Sequence, residues 1–112
     1  MDLIKQNILD IGSDEFYRAS RYRIPLVVIL VNTNNKNAFD VLDKRTRQTD
    51  IVQQLTSELL VVYLSHTGSK DADAFINKIK KELDFTYTFS EYISDEFEFI
   101  HKLLVENNKK FR

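Results

Sequence analysis

Residues 26–31 read Leu-Val-Val-Ile-Leu-Val, an uninterrupted apolar run that directly follows Pro25, the single proline of the chain. The run is rich in β-branched residues and does not alternate with polar residues, which is typical of a strand covered on both faces. The turn-forming segment Asn32-Thr33-Asn34-Asn35 ends it. We therefore predict that residues 26–31 form the central strand of a sheet.

Helical and strand patterns alternate on both sides of this run. Before it, the spacing of apolar residues predicts one helix over residues 3–11, ended by Gly12, and a second over residues 13–22. After it, we predict a short helix that contains Ala38, Val41 and Leu42, strands at 51–55 and 59–64, a helix over 72–83, an alternating strand at 85–90 and a last helix that carries Phe97, Ile100, Leu103 and Leu104.

The predicted order is therefore α-α-β-α-β-β-α-β-α. Its interior, β-α-β-β-α-β, is the ferredoxin-like split arrangement, an α+β fold in which two helices pack on one face of an antiparallel sheet. We predict one domain over residues 1–112, with an N-terminal helical segment at 1–22 and the core at 24–107. The N-terminal helices lie outside the split core, and we expect their apolar stripe, Leu3, Ile4, Ile8 and Ile11, to pack onto the domain rather than onto a second copy.

Composition excludes several classes of function. With 112 residues, of which 43% are hydrophobic, the chain has no room for a second core, and its net charge of −1 argues against nucleic acid as a partner. The absence of cysteine excludes disulfides, thiolate metal sites and cysteine nucleophiles. No signal sequence is recognisable, and the longest apolar run is far too short to cross a membrane. We expect a soluble cytoplasmic protein.

Two segments carry a resemblance to a known family. Residues 21–34 read Arg-Tyr-Arg-Ile-Pro-Leu-Val-Val-Ile-Leu-Val-Asn-Thr-Asn, and residues 47–64 read Arg-Gln-Thr-Asp, five residues, Thr-Ser-Glu-Leu-Leu and an apolar strand. From about Phe16 to Asn107 the chain resembles a shortened, degenerate GGDEF (diguanylate cyclase) domain of bacterial signalling proteins. The family has Asp-x-Asp where this chain has Asn-Thr-Asn, and Gly-Gly-Asp/Glu-Glu-Phe where it has Thr-Ser-Glu-Leu-Leu.

These departures change the chemistry that the resemblance implies. A diguanylate cyclase holds two divalent cations with carboxylates from the first strand end and from the hairpin, because Mg²⁺ beside a triphosphate needs anionic oxygen. A longer helical region that recognises guanine in the family is also shortened here. We therefore expect no cyclase activity, no metal and no cofactor. The degenerate signature positions are Asn32, Asn34, Thr56, Ser57, Glu58, Leu59 and Leu60.

The Arg-x-x-Asp of Arg47 and Asp50 matches the family's inhibitory site for cyclic di-GMP. Arginine suits guanine edges and phosphates, and aspartate can accept hydrogen bonds from guanine. A basic residue of the following helix often assists in the family, and Lys78 lies near the corresponding place. The alternative is that Arg47 is a solvated cation at a helix end that forms only a weak surface ion pair with Asp50.

Three hypotheses about function follow from these segments. The first is a catalytically inactive GGDEF-like signalling domain that binds cyclic di-GMP, and the second is a ligand-free module that binds a protein partner or a second copy of itself. An active cyclase is the third and least favoured. The aromatic row Phe85, Tyr87 and Phe89 is best explained by packing under helices, and neither His66 nor His101 has a second histidine nearby in sequence.

Overall fold

The central strand lies where the apolar run predicts it. A computed structural model describes residues 2–111, and positions 1 and 112 of the predicted domain lie outside that range. The elements are α1 (Asp2–Ile11), α2 (Ser13–Tyr22), β1 (Leu26–Asn32), α3 (Ala38–Arg45), β2 (Ile51–Thr56), β3 (Leu59–Ser65), α4 (Ser69–Ile79), β4 (Thr86–Glu91) and α5 (Glu96–Phe111).

The four strands form one antiparallel sheet in the order β2-β3-β1-β4. This order and the interior element sequence confirm the predicted ferredoxin-like α+β core. Every residue of β1 is buried, because helices cover both faces of the sheet. The absence of alternation in the sequence of β1 therefore has a direct structural cause.

Alternate residues of β1 enter two separate apolar clusters. Val27, Ile29 and Val31 pack with α3 and α4 on one face, as the split arrangement predicts. Val28 and Leu30 pack on the opposite face with residues of α1, α2 and α5. The N-terminal and C-terminal helices thus complete the fold by covering the face that a minimal split βαβ unit leaves open.

The N-terminal stripe packs inside the molecule, as expected. Ile8 is fully buried, and Ile4 and Ile11 are partly buried against the same cluster, whereas Leu3 is exposed. The break between α1 and α2 falls at Gly12, as predicted, but its φ of −96° is open to any residue. Glycine is required at this position for steric reasons, because a Cβ there would lie 2.4 Å from ring atoms of the buried Tyr63.

The hairpin forms although its turn lacks the usual glycine signal. Ser57 and Glu58 connect β2 to β3, and neither has a positive φ. A register irregularity lies between Gln54 and Thr56, next to the turn. Bulges of this kind increase local strand twist, which helps a tight turn without left-handed residues to join two twisted strands.

Two helix predictions need correction. Helix α4 begins at Ser69 and ends at Ile79, so Leu83 lies beyond the helix, although its side chain is buried. The spacing predicts Phe97 on the apolar face of α5, but this residue is 58% exposed. Helical spacing identifies a face of a helix but not how far neighbouring elements extend along it. No helix within residues 2–111 is both long and apolar enough to traverse a bilayer.

Candidate functional site

The end of β1 and the tip of the hairpin meet, as the resemblance requires. Asn32 pairs with Leu59 across the β1–β3 ladder, and the Thr33 N–H donates to the Glu58 carbonyl oxygen at 3.0 Å. The structure therefore brings Asn32, Glu58 and Leu59, three of the seven positions that the resemblance assigns to the family signature, to one end of the sheet.

The Asn32 side chain is directed into the protein interior. Its Nδ2 donates to Oδ1 of Asn107 at 2.6 Å, and Nδ2 of Asn107 donates back to Oδ1 of Asn32 at 3.1 Å. The Thr88 hydroxyl adds a third hydrogen bond to Oδ1 of Asn107, at 3.3 Å. All three residues are buried, so Asn32 is a neutral amide in a satisfied buried network that ties β1 and β4 to α5.

The other signature positions supply little charge. Asn34, Thr56, Ser57 and Glu58 are exposed, Leu59 is partly buried and Leu60 belongs to the core. Glu58 is the one carboxylate among the seven positions. Within residues 2–111, no three His, Cys, Asp or Glu side chains are grouped in a way that could hold a metal ion.

Arg47 and Asp50 form a turn in the loop between α3 and β2. The Asp50 N–H donates to the Arg47 carbonyl oxygen at 3.0 Å, and Oδ2 of Asp50 accepts from the Arg47 N–H at 2.9 Å and from its Nε at 3.2 Å. Oδ1 of Asp50 accepts from Nη2 of Arg47, also at 3.2 Å. The carboxylate and the guanidinium therefore pair through two parallel hydrogen bonds.

The same pair also fastens the loop to the end of β3. Oδ1 of Asp50 accepts from the Ser65 N–H at 3.1 Å, while Nη2 of Arg47 donates to the Ser65 carbonyl oxygen and to the Thr67 hydroxyl at 2.9 Å. The Asp50 side chain is only 2% exposed, whereas that of Arg47 is 55% exposed. The pair is thus more than a surface ion pair, and we call this set of contacts the Arg47–Asp50 staple.

A shallow pocket of about 240 Å³ opens beside the staple. His66, at its edge, has a left-handed backbone with φ of 55°. Lys78 does not line the pocket; it is exposed on α4, one helical turn beyond Phe75. The lining residues are Arg45, Arg47, Asp50, Leu64, His66, Thr67, Asp71 and Phe75.

Arg45, on the rim of this pocket, is already engaged. Its Nε donates to Oε2 of Glu82 at 2.6 Å. The hydrogen bond lowers the pKa of the Glu82 carboxyl and raises that of the Arg45 guanidinium. Both groups therefore stay charged at neutral pH, and Arg45 adds a second guanidinium to the lining of the pocket.

Sequence reasoning missed three residues of these sites. Ser65 and Thr67 carry no local signal, because their partners lie 15 or more positions away in the chain. Asn107 did carry one. It continues the spacing of Ile100, Leu103 and Leu104 on the buried face of α5, and a polar residue in such a stripe needs a hydrogen-bonding partner.

Comparisons with known proteins support the fold. No protein-family model matches the sequence, and no curated protein matches it significantly. Among solved structures, the chain is similar to a DGC protein from Thermotoga maritima, with 18% sequence identity and a TM-score of 0.67. The match covers 94% of this chain and 92% of the other. The two proteins therefore share one α+β fold over nearly their whole length.

Proposed function

We propose that this protein is a catalytically inactive GGDEF-like signalling domain whose remaining ligand site is the pocket beside Arg47, with cyclic di-GMP as the ligand. The fold supports the GGDEF-like part of the proposal, because DGC abbreviates diguanylate cyclase, the activity of the GGDEF family. The site supports the second part. The observation that carries the proposal is that Arg47 is exposed at a pocket and held there by Asp50.

Asn32 and the hairpin lack the charges that a diguanylate cyclase uses to hold its metal ions. A magnesium ion in a nucleotide site needs anionic oxygen ligands. Asn32 has no charge, and both of its side-chain polar atoms are bonded to Asn107 inside the protein. Glu58 alone would have to replace the carboxylates that hold two metal ions in a diguanylate cyclase. Without those ions, attack on a nucleoside triphosphate lacks the positive charge that stabilises its transition state.

We expect no cyclic dinucleotide when the protein is incubated with GTP and Mg²⁺ or Mn²⁺. Chromatography of the reaction, run in parallel with an active diguanylate cyclase, measures this directly. The physical reason is the missing charge at Asn32, Asn34 and the hairpin. Clear product from the purified chain would contradict the proposal of inactivity.

The geometry of the Arg47 guanidinium supports cyclic di-GMP as the ligand. Nε and Nη2 are occupied by Asp50, Ser65 and Thr67, and no residue within 2–111 accepts a hydrogen bond from Nη1. The staple thus fixes the planar group while its Nη1 edge remains for a phosphate or a guanine edge. Asp50 acts as a positioning residue, since its carboxylate is buried.

We expect isothermal titration with cyclic di-GMP to show binding, and Arg47→Ala to weaken it by at least about tenfold, because a charge-assisted hydrogen bond is removed. Lys78→Ala should weaken it less, since Lys78 lies outside the pocket. Arg21→Ala, the same change at an exposed site on α2, is the matched control and should bind like the wild type. Absence of heat at hundreds of micromolar ligand would contradict the proposal.

The second candidate function is a ligand-free interaction module on the same scaffold. The burial of Asp50 favours it, because the staple gives Arg47 and Asp50 a structural role without any ligand. A silent titration combined with a loss of stability in Asp50→Ala would support this candidate over the receptor.

A further inference from the structure

The outer edge of β4 is available for pairing with another strand. The Tyr92 N–H donates to the Leu26 carbonyl oxygen, so the even-numbered residues of this strand bond to β1. Backbone groups of Tyr87, Phe89 and Glu91 therefore point to the free edge. Strand β4 contains no proline or lysine, and its pairing with β1 has no register shift. The charged groups at this edge lie at its two ends, Glu91 on the strand and Lys110 of α5 beside Tyr87, so the middle of the edge has no proline, lysine or bulge to keep another strand from pairing.

Helix α5 runs beside this edge and leaves it open. Two adjoining pockets of about 510 and 170 Å³ separate the helix from β4, and both are lined by Ser90, Phe99 and Lys102. Further along, Nζ of Lys110 lies 3.4 Å from the carbonyl oxygen of Tyr87. These contacts show which side of α5 faces the edge along most of the length of β4.

This flank carries four exposed charges at intervals of four residues. Glu98, Lys102, Glu106 and Lys110 alternate in sign, and we call them the α5 stripe. A second α5 stripe placed antiparallel, about an axis through Leu104, sets Glu98 opposite Lys110 and Lys102 opposite Glu106. All four contacts then join opposite charges, so the stripe is complementary to a copy of itself.

The midpoint of β4, Phe89, lies beside the midpoint of the α5 stripe. Phe89 lines one pocket with Lys102 and Glu106, the two central charges of the stripe. An antiparallel pair of β4 strands about Phe89 faces Phe89 with its copy and Tyr87 with Glu91 of the other protomer. A single two-fold axis can therefore generate both the β4–β4 pairing and the pairing of the two α5 stripes.

We propose that the protein forms a homodimer through antiparallel pairing of β4, which joins two four-stranded sheets into one continuous sheet. The α5 stripes meet on one face of it. On the other face the half-buried ring of Phe89, whose centroid lies 6.2 Å from that of Tyr87, meets its copy, while Tyr87 faces Glu91 of the other protomer. Both rings lose further contact with water there. Lys110 leaves the Tyr87 carbonyl and pairs with Glu98 of the other protomer.

Sedimentation velocity over a concentration series tests this dimer through charge exchange. We expect Lys102→Glu alone and Glu106→Lys alone to weaken dimerisation by about tenfold or more, since each sets like charges opposite one another twice per dimer. The double variant K102E/E106K restores opposite charges and should recover the wild-type dissociation constant. Lys44→Glu, the same charge change on α3, is the matched control and should have no effect.

Amide hydrogen exchange provides the second measurement. The Phe89 amide points to the free edge, so its protection should rise with protein concentration, whereas that of Thr88, bonded to β1, should not depend on concentration. Circular dichroism checks that each variant remains folded. A wild type that stays monomeric at hundreds of micromolar overturns the proposal, as does a dimer unaffected by both single reversals or not recovered in the double variant.

Discussion

Gly12→Ala is expected to destabilise the protein by about 3 kcal/mol, the upper part of the range for overpacking a core. The added Cβ would lie 2.4 Å from Cε1 and Cζ of Tyr63 and 2.5 Å from its hydroxyl oxygen. The ring has little freedom to move, because it is fully buried, packs edge-to-face against Phe16 and donates a hydrogen bond to the Ile8 carbonyl oxygen. Burial raises the pKa of the Tyr63 phenol, so this donor is retained throughout the neutral range.

Urea denaturation, with the free energy of unfolding as the readout, measures the effect. Gly68→Ala is the matched control, since a Cβ there meets only the flexible Glu91 side chain at 3.4 Å, and we expect a loss below about 1 kcal/mol. In a Tyr63→Leu background the cost of Gly12→Ala should fall, because the colliding ring is gone. Equal losses of unfolding free energy in the two glycine variants would show that the close approach of Gly12 to Tyr63 does not cause the destabilisation.

Asp50→Ala, the second substitution with a large expected effect, should lower the free energy of unfolding by about 3 kcal/mol. The change removes the acceptor of the Ser65 N–H and of the Arg47 N–H, and it leaves the guanidinium without its carboxylate. The backbone donor of Ser65 lies in a buried residue, so water replaces the carboxylate poorly.

Arg47→Ala provides the internal comparison for the staple. The Arg47 side chain is largely exposed, and the carboxylate of Asp50 keeps both backbone donors, so we expect a loss of only about 1 kcal/mol. Thermal or urea unfolding of the two variants gives the order directly. A larger loss for Arg47→Ala than for Asp50→Ala would contradict the view that Asp50 is the anchor of the loop.

Much of the fold follows from local patterns in the sequence. The run at 26–31 identifies a doubly covered strand because burial on both faces removes any need for polar alternation. Helix α5 is recognisable from Ile100, Leu103 and Leu104, since helical spacing depends on the sequence of one segment alone. The exposure of Phe97 and the end of α4 at Ile79 were not predictable, because they depend on where other elements stop.

The candidate site shows the same limit more clearly. Sequence identifies Arg47 and Asp50 as a pair, but their environment depends on Ser65 and Thr67, which approach only when β3 joins the sheet. The sequence offers a surface ion pair and a ligand site as alternatives. The folded chain instead has a buried carboxylate that positions an exposed guanidinium, a combination that no local pattern encodes.

The sheet order also has a consequence for how the chain folds. The central strand β1 pairs Leu26 with Ser65 and Asn32 with Thr86, so both of its partners lie far away in the chain. The β2–β3 hairpin, closed at Thr56 and Leu59, is the one pairing between consecutive strands among residues 2–111, and hairpins form within about 1–10 μs. Slower closure of long loops must then bring β1 against this hairpin and β4 against β1. Until α1, α2 and α5 cover it and the side-chain amides of Asn32 and Asn107 meet, the nascent sheet exposes one apolar face, and such exposed apolar surface favours aggregation during folding.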